Sequence, residues 1–235
     1  MKNRISLGTA FVVAATIASP TMAELTANIA ASSNYLFRGV TQTNDEAAVS
    51  GGIDYSNDSG LYAGVWTSNV AIGRHGTGTG QEVDLYFGYA GQAGDVEYDA
   101  GYIYYAYPAM SSTGVDYGEV NVNASAGMIS GGLAYTVNAG DDNDGGTNDS
   151  GDIYGYAAVG GELEQDWSWA VTVGRYEFTN DGDAGVGDVS YTHYQGDLTK
   201  SVGDMGDFTL TLSGTDGSDF AGNDPELVVG WAKSF

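Results

Sequence analysis

Alternation with a period of two is the feature that most constrains this chain. In one segment Val83, Leu85 and Phe87 are apolar, and they alternate with acidic, aromatic and Gly residues. A strand places successive side chains on opposite faces, whereas an amphipathic helix repeats its apolar residues about every 3.6 positions. The same alternation returns along most of the chain, and no segment shows the helical period. The sequence therefore predicts an all-β protein whose sheet has one apolar and one polar face.

The segments and their connections predict a closed antiparallel transmembrane β-barrel. We count about twelve segments of roughly ten residues, the length of a strand that crosses a membrane at a tilt. Their connections alternate between long and short, so long extracellular loops would lie at one end and short periplasmic turns at the other, as is typical of outer-membrane barrels. The predicted segments are 25–37, 47–56, 61–69, 82–90, 95–106, 117–126, 128–138, 152–161, 167–178, 188–199, 207–214 and 226–235.

The charge and composition of the chain exclude several classes of function. Acidic residues outnumber Lys and Arg by 31 to 7, and the formal net charge is −24. A nucleic-acid partner is not expected, because binding to phosphates depends on Lys and Arg. The chain has no Cys, which excludes a disulfide framework, a thiolate zinc site and a cysteine nucleophile. No motif indicates a cofactor.

The N-terminal residues have the layout of a secretory signal peptide. Lys2 and Arg4 precede an uncharged apolar run, and small residues at 21–23 offer a cleavage point after the run is broken by Pro. A membrane-spanning helix would need about 20 apolar residues, which the run does not provide. We therefore expect a signal peptide at 1–23 and an outer-membrane β-barrel domain at 24–235.

Alternation alone leaves two orientations of the sheet open. In a membrane barrel the apolar face meets lipid and the polar face lines a watery lumen, whereas a soluble barrel has the apolar face inside. The export signal, the sorted loops and an apolar alternation that ends at Phe235 favour the membrane. Aromatic residues near predicted strand ends would then form interfacial girdles, with ordinary core packing as the alternative. These residues are Tyr35, Phe37, Tyr55, Tyr104 and Phe178.

The stretch 33–43 contains the pattern Y-x-F-R-G-x-S/T-Q-T and resembles the opening motif of the TorF-type porin family. The resemblance implies an outer-membrane β-barrel of a Gram-negative bacterium, described as a porin, with outer-membrane lipid and lipopolysaccharide as its surroundings. It also implies recognition of the C-terminal strand, which ends at Phe235, by the barrel assembly machinery. Further matches lie at 51–55, 61–66, 68–70, 82–89, 102–108 and 233–235.

Charged residues on the polar face point to transport. A ring of acidic groups along a water-filled path raises the local concentration of cations and repels anions. Arg38 is also expected inside, where it would pair with a carboxylate. We predict a porin-like channel for passive diffusion of small hydrophilic solutes, with a preference for cations. The alternatives are a non-conducting structural or adhesion barrel and an exported soluble β protein. The lumen candidates are Arg38, Asp54, Glu82, Asp84, Glu97, Asp99, Glu119, His193 and Asp197.

Catalysis is not expected from this sequence. Hydrolases and acyltransferases built on small outer-membrane barrels need a Ser that is activated by a His. Only His75 and His193 are present, and no Ser has Gly two residues away on both sides, so the nucleophile elbow is absent. We therefore predict that the protein is not an enzyme.

An acidic loop at 139–151 and the residue that follows it concentrate oxygen ligands of the kind that Ca²⁺ prefers. The loop lacks the spacing of an EF-hand, and a solvated loop tip is the alternative. Divalent ions held loosely there would bridge lipopolysaccharide phosphates. The weak metal candidates are Asp141, Asp142, Asp144, Asp149 and Asp152.

Overall fold

The computed structural model describes residues 24–71, 80–108, 115–139, 148–183, 187–219 and 221–235. The predicted signal peptide, His75, Asp141, Asp142 and Asp144 lie outside these residues. No helix within the described ranges is long and apolar enough to cross a bilayer. The strands are β1 (Glu24–Ser32), β2 (Leu36–Phe37), β3 (Val40–Thr41), β4 (Ala48–Ser56), β5 (Leu61–Val70), β6 (Gly80–Ala93), β7 (Val96–Ala106), β8 (Tyr117–Ala126), β9 (Ile129–Ala139), β10 (Ile153–Glu162), β11 (Trp167–Glu177), β12 (Tyr191–Ser201), β13 (Asp207–Thr215) and β14 (Glu226–Ser234).

Twelve of these strands form one closed antiparallel barrel, and β2 and β3 form a separate two-stranded sheet. Each barrel strand pairs with its neighbours along the chain, and β1 pairs with β14 to close the ring, with Asn28 opposite Ser234. Beyond β14, the backbone N–H of Phe235 donates to the carbonyl of Ala27 over 2.8 Å, so the seam extends to the last residue. The predicted closed antiparallel barrel of about twelve strands is confirmed.

The strand bounds sort the connections by length. Short turns follow β4, β6, β8, β10 and β12, and the last of these contains a 3-10 helix at Gly203–Met205. Longer connections follow β1, β5, β7, β9, β11 and β13. Because the strands are antiparallel, all the short turns lie at one end of the barrel and all the longer connections lie at the other. We call these the turn end and the loop end.

The two faces of the sheet differ in chemistry as well as in position. On β6, Leu85 and Phe87 point outwards and are 52% and 60% exposed, whereas Glu82 and Asp84 point inwards and are 2% and 1% exposed. The same division holds on the other strands, where large apolar side chains cover the outside. This is the orientation predicted for a membrane barrel and the reverse of a soluble one.

The first predicted segment, 25–37, is too long. Strand β1 ends at Ser32, and the chain then folds into the barrel before it returns to β4. Polar contacts close the base of this excursion: the Thr43 hydroxyl donates to Asn34 Oδ1 over 2.9 Å and accepts the Tyr35 backbone N–H over 3.1 Å. We call residues 33–47 the inner hairpin. A smaller difference concerns the segment predicted at 188–199: the observed strand, β12, begins at Tyr191 and ends at Ser201.

The prediction of an aromatic girdle is wrong for three of its five residues. Tyr35 and Phe178 are only 7% and 5% exposed, because they pack inside the barrel. Phe37 lies on the inner hairpin, with its ring centre 5.7 Å from that of Tyr105. Tyr55 is on the outer face and 45% exposed. The fifth residue, Tyr104, lies on the outward-facing side of β7 and donates its hydroxyl to Asp116 over 3.2 Å.

Candidate functional site

The inner hairpin reaches into the lumen from the loop end. Its tip is a two-residue turn of Arg38 and Gly39 between β2 and β3, with φ values of +51° and +85°. Positive φ at both central residues is the mark of a type I′ turn. A Cβ on Gly39 would lie 2.6 Å from the Cβ of His193, so this close approach to the barrel wall requires Gly. Arg38 adopts a backbone conformation that is unfavourable for a side chain of its kind.

The Arg38 side chain ties this tip to the opposite wall. Its two terminal nitrogens donate to the two oxygens of Glu119 over 2.8 and 2.7 Å. The guanidinium carbon also lies 4.2 Å from the ring centre of Tyr154 and 4.7 Å from those of Tyr176 and Phe37. A planar cation between aromatic faces and a carboxylate combines ion pairing with cation–π attraction. This arrangement fixes the hairpin inside the lumen.

A second contact anchors the base of the hairpin to β5 and β6. The Tyr35 hydroxyl donates to Glu82 Oε1 over 3.1 Å, and the Tyr35 ring meets Trp66 edge to face at 5.6 Å. Asp84 lies on the same inward face as Glu82, and its buried Oδ1 has no hydrogen-bond partner among the described residues. The hairpin therefore contacts the wall on two sides of the barrel.

Strand β12 supplies a polar ladder to the interior, because its alternation puts His193, Gln195 and Asp197 on one face. His193 Nε2 and the Tyr154 hydroxyl are 2.9 Å apart and share a hydrogen bond. The Gln195 amide donates to Asp197, whose Oδ1 also accepts the Thr211 hydroxyl over 2.6 Å. These groups lie next to the inner hairpin and below it, towards the turn end.

Carboxylates nearer the turn end are held by amides and phenols. Asn28 donates to Asp54 over 3.3 Å, and the Tyr86 hydroxyl donates to the same carboxylate. Asp99 accepts the amide of Asn123 over 3.3 Å. Glu97 lies closer to the turns and is exposed, with the Ser125 hydroxyl 3.4 Å from its Oε2. None of the described Lys or Arg side chains forms an ion pair with Asp54, Asp99 or Glu97.

The interior thus has two parts of different composition. The loop half contains the inner hairpin and the aromatic side chains around Arg38. The turn half contains Asp54, Asp99 and their amide partners. Tyr side chains there pack against Gly residues of the neighbouring strand, as Tyr86 does against Gly64. A cavity of ≈ 90 Å³ extends from Arg38 towards Asp99 and Asn123, and one of ≈ 80 Å³ lies on the other side of the hairpin beside Tyr35 and Trp66.

All nine predicted lumen residues lie on the inside of the barrel. The structure brings Arg38 and Glu119 together and places His193 beside them, while Glu97 lies apart at the turn end. Of the four Lys and Arg residues in the described ranges, only Arg38 points inwards; the outward three are Arg175, Lys200 and Lys233.

Sequence reasoning missed the aromatic side of the lumen. Tyr105, Tyr154 and Tyr176 contribute to the surroundings of Arg38, and none was among the candidates. The signal was present for Tyr176, which continues the inward series of Thr172 and Gly174 on β11. Alternation identifies the face of such a residue but not its partners.

The described end of the acidic loop uses its carboxylates within the protein. Asp152 Oδ1 accepts the backbone N–H of Thr179 over 2.8 Å, and its Oδ2 accepts the backbone N–H of Asp149 over 2.8 Å. Asp149 in turn accepts the side-chain amide of Asn180 over 2.7 Å. Among the residues that the structure describes, no three His, Asp or Glu side chains are grouped as metal ligands. These contacts connect the β9–β10 loop to the β11–β12 loop.

The chain belongs to the Gcw_chp family, which is described as a bacterial protein of unknown function and whose model matches residues 14–227. This description does not include the TorF-type name, so that resemblance stays a prediction. A search of curated protein sequences finds no match.

Solved structures of similar fold are outer-membrane channels. The KdgM porin superposes with a TM-score of 0.59 at 8% identity, covering 89% of this chain and 99% of that one. KdgM porin in complex with disordered oligogalacturonate gives 0.56 at 8%, with 90% and 99% covered. The COG4313 outer membrane channel from Pseudomonas putida F1 gives 0.56 at 11%, with 99% and 100% covered. At these identities the likeness shows the fold.

Proposed function

We propose that the protein is a narrow outer-membrane channel for passive diffusion of small hydrophilic solutes, and that it prefers cations. The observation that carries this proposal is the charge of the lumen. The seven Asp and Glu side chains predicted to line the lumen face inwards. Among the described residues, Arg38 is the only Lys or Arg that also faces inwards. A confined path with an excess of one charge attracts ions of the opposite sign.

Three features support the location in the outer membrane. The outer face of the barrel is apolar, with residues such as Leu133 and Val171 more than half exposed. The layout of residues 1–23 suits an exported protein that loses a signal peptide. The channels of similar fold are outer-membrane proteins. Lipid and lipopolysaccharide would surround the barrel, and the assembly machinery would recognise the strand that ends at Phe235.

The solute we propose differs in charge from one that a structural neighbour holds. The KdgM porin has been captured with oligogalacturonate, an anion. In the present lumen Asp54, Asp99 and Glu97 have no basic partner among the described residues. Such a lining would repel a polyanion, so small cations and neutral solutes fit it better.

Planar bilayer recording tests the proposal. The wild-type protein is expected to conduct, and in a KCl gradient its reversal potential should have the sign of cation preference. The double variant Asp54→Asn, Asp99→Asn should move the reversal potential towards zero. The double variant Asp58→Asn, Asp95→Asn, which removes two exposed carboxylates from the β4–β5 and β6–β7 turns, is the matched control. Anion preference of the wild type would refute the role given to the lumen carboxylates.

One observation favours a second candidate, a non-conducting structural or adhesion barrel. The inner hairpin occupies the loop half, and among the described residues two cavities beside it measure ≈ 90 and ≈ 80 Å³. A protein that shows heat-modifiable gel migration, and is therefore folded, but gives no conductance in bilayers would support this candidate over the channel.

A further inference from the structure

The wall residues that hold Arg38 form a pocket suited to a planar organic cation. We propose that Glu119, Tyr154 and Tyr176 are a recognition site for solutes that carry a guanidinium group, and that Arg38 is a tethered occupant with which such solutes compete. This inference rests on the proposed function in one respect, since the solute has to enter the lumen. It adds a chemical class of solute and a defined site to that function.

The pocket has the elements that recognise a guanidinium. Glu119 presents both carboxylate oxygens to the two terminal nitrogens of Arg38, at 2.8 and 2.7 Å, which matches a planar fork. Tyr154 and Tyr176 lie 4.2 and 4.7 Å from the guanidinium carbon, within the range of cation–π attraction. These three side chains belong to β8, β10 and β11, so the pocket is part of the barrel wall.

The wall keeps this pocket in place independently of the hairpin. Glu119 Oε2 accepts the Tyr105 hydroxyl over 3.3 Å, and the Tyr154 hydroxyl is bonded to His193. Glu119 is 1% exposed, and Arg38 is its only basic partner among the described residues. A buried carboxylate without a counter-charge is strongly unfavourable. If the Arg38 side chain is removed, the Glu119 carboxylate therefore still favours a cation in the pocket.

The hairpin that delivers Arg38 is unusual at its tip. Asn, Asp and Gly are the residues that favour the first central position of a type I′ turn, yet Arg38 occupies it at φ +51°. The contacts of its side chain are the evident reason for its presence there. A guanidinium held by strained backbone on a two-residue turn is a ligand attached to the protein, and a free ligand of the same chemistry would compete for the same contacts.

The test uses methylguanidinium chloride and purified, folded protein in detergent, with isothermal titration calorimetry against NaCl of equal ionic strength. Arg38→Ala empties the pocket and should bind methylguanidinium. The double variant R38A/E119Q should bind at least about tenfold more weakly, because the paired carboxylate is lost. The double variant R38A/E164Q, which removes an exposed carboxylate from the β10–β11 turn, should match R38A. Wild-type protein should bind at least about tenfold more weakly than R38A, since its own guanidinium competes.

Heat-modifiable gel migration confirms that each variant is folded, and Arg38→Gln replaces Arg38→Ala if the latter is not. No binding to the emptied pocket, or binding that E119Q leaves unchanged, would overturn the recognition site. Equal affinity of wild type and R38A would overturn the role of Arg38 as a competing occupant. Because these measurements need no conductance, a protein that binds methylguanidinium but does not conduct would refute the proposed channel and leave the site standing.

Discussion

The interior of the barrel is filled in different ways in the loop half and in the turn half. The loop half is filled by a segment from outside the barrel ring, which brings Arg38 against Tyr154 and Tyr176. Tyr176 in turn stacks on Phe178, with ring centres 4.1 Å apart. The turn half is filled by the strands themselves. There Tyr86 lies against Gly64, where a Cβ would be 2.4 Å from the ring, and its hydroxyl reaches Asp54.

This difference suggests a separate role for each half in the proposed channel. In the turn half Asp54 and Asp99 accept hydrogen bonds from the neutral amides of Asn28 and Asn123, and in the proposed channel these carboxylates would attract cations. In the loop half one carboxylate is neutralised by Arg38, and the hairpin narrows the path. In the proposed channel, charge selection and constriction would therefore lie at different depths, and variants in one half should leave the other half unchanged.

The largest effect is expected from removal of the constriction. Replacing residues 35–42 with two Gly residues should raise single-channel conductance at least about twofold, because the obstacle in the loop half is gone while the ring of strands stays intact. Cation preference should be kept or increase, since the turn half keeps its carboxylates and Glu119 loses the neutralising charge of Arg38. Bilayer recording measures both quantities. Unchanged conductance would show that another part of the molecule sets the width of the path.

The next effect concerns the ion pair of the loop half. Glu119→Gln leaves a buried guanidinium without its counter-charge, and we expect it to lower the free energy of unfolding by about 3 kcal/mol. Glu97→Gln in the turn half removes an exposed carboxylate and should cost less than about 0.5 kcal/mol. Urea unfolding in detergent measures both changes. Equal values for the two variants would remove the energetic contrast between the halves.

A smaller effect tests the packing of the turn half. Gly64→Ala places a methyl group against the Tyr86 ring and should destabilise the barrel by about 1–2 kcal/mol. Gly196→Ala is the matched control, because a Cβ there meets no atom within 4 Å on the outer face. Its free energy of unfolding should stay within about 0.5 kcal/mol of wild type. Similar losses for both would argue that backbone effects, and not Tyr86, explain the change.

The smallest effect lies in the loop that follows β11. The pKa of Asp181 is lowered because its carboxylate accepts the backbone N–H groups of Val189 and Ser190, at 2.7 and 3.2 Å. A lowered pKa means that the stabilisation is complete above the unfolded value of about 3.9 and is lost as the pH falls through the folded value. Hydrogen exchange of these two amides should therefore be slow, relative to the intrinsic rate, near pH 6 and lose protection below about pH 4.

The same measurement on Asp181→Asn provides the control for this loop. An amide side chain does not titrate in that range, so the pH dependence should disappear. Protection that persists unchanged at low pH in the wild type would show that the carboxylate does not order the loop. The conductance and the stability of the barrel should be insensitive to this change, because Asp181 lies outside the strands.

Much of the fold was predictable because each strand reports its own faces. On β12, His193 and Asp197 were expected inside, and the structure places both there, 1% and 6% exposed. The predicted strands agree with the observed ones except near their ends. Tyr35 and Phe37 show where alternation misleads. The alternating pattern of the sequence continues past the end of β1 at Ser32, and a period of two does not reveal that the chain has left the barrel wall there.

The candidate site was predictable in its residue types but not in its arrangement. That Arg38 would seek a carboxylate followed from the cost of an unpaired charge inside a barrel. That the partner is Glu119, 81 positions away, depends on the ring being closed and on the depth that the hairpin reaches. The two tyrosines that complete the pocket come from β10 and β11, and only strand register brings them to that level.

By itself, the sequence determined the all-β class, the number of strands to within the expected precision and the inward or outward face of most residues. The reason is that the period of two is a local property of the backbone, independent of what the strand later contacts. Tertiary structure alone decided that residues 33–47 enter the lumen, that Arg38 meets Glu119, and that the aromatic residues gather in the loop half. These contacts join residues far apart in the chain, and they exist only once closure of the ring has fixed which strands face each other across the interior.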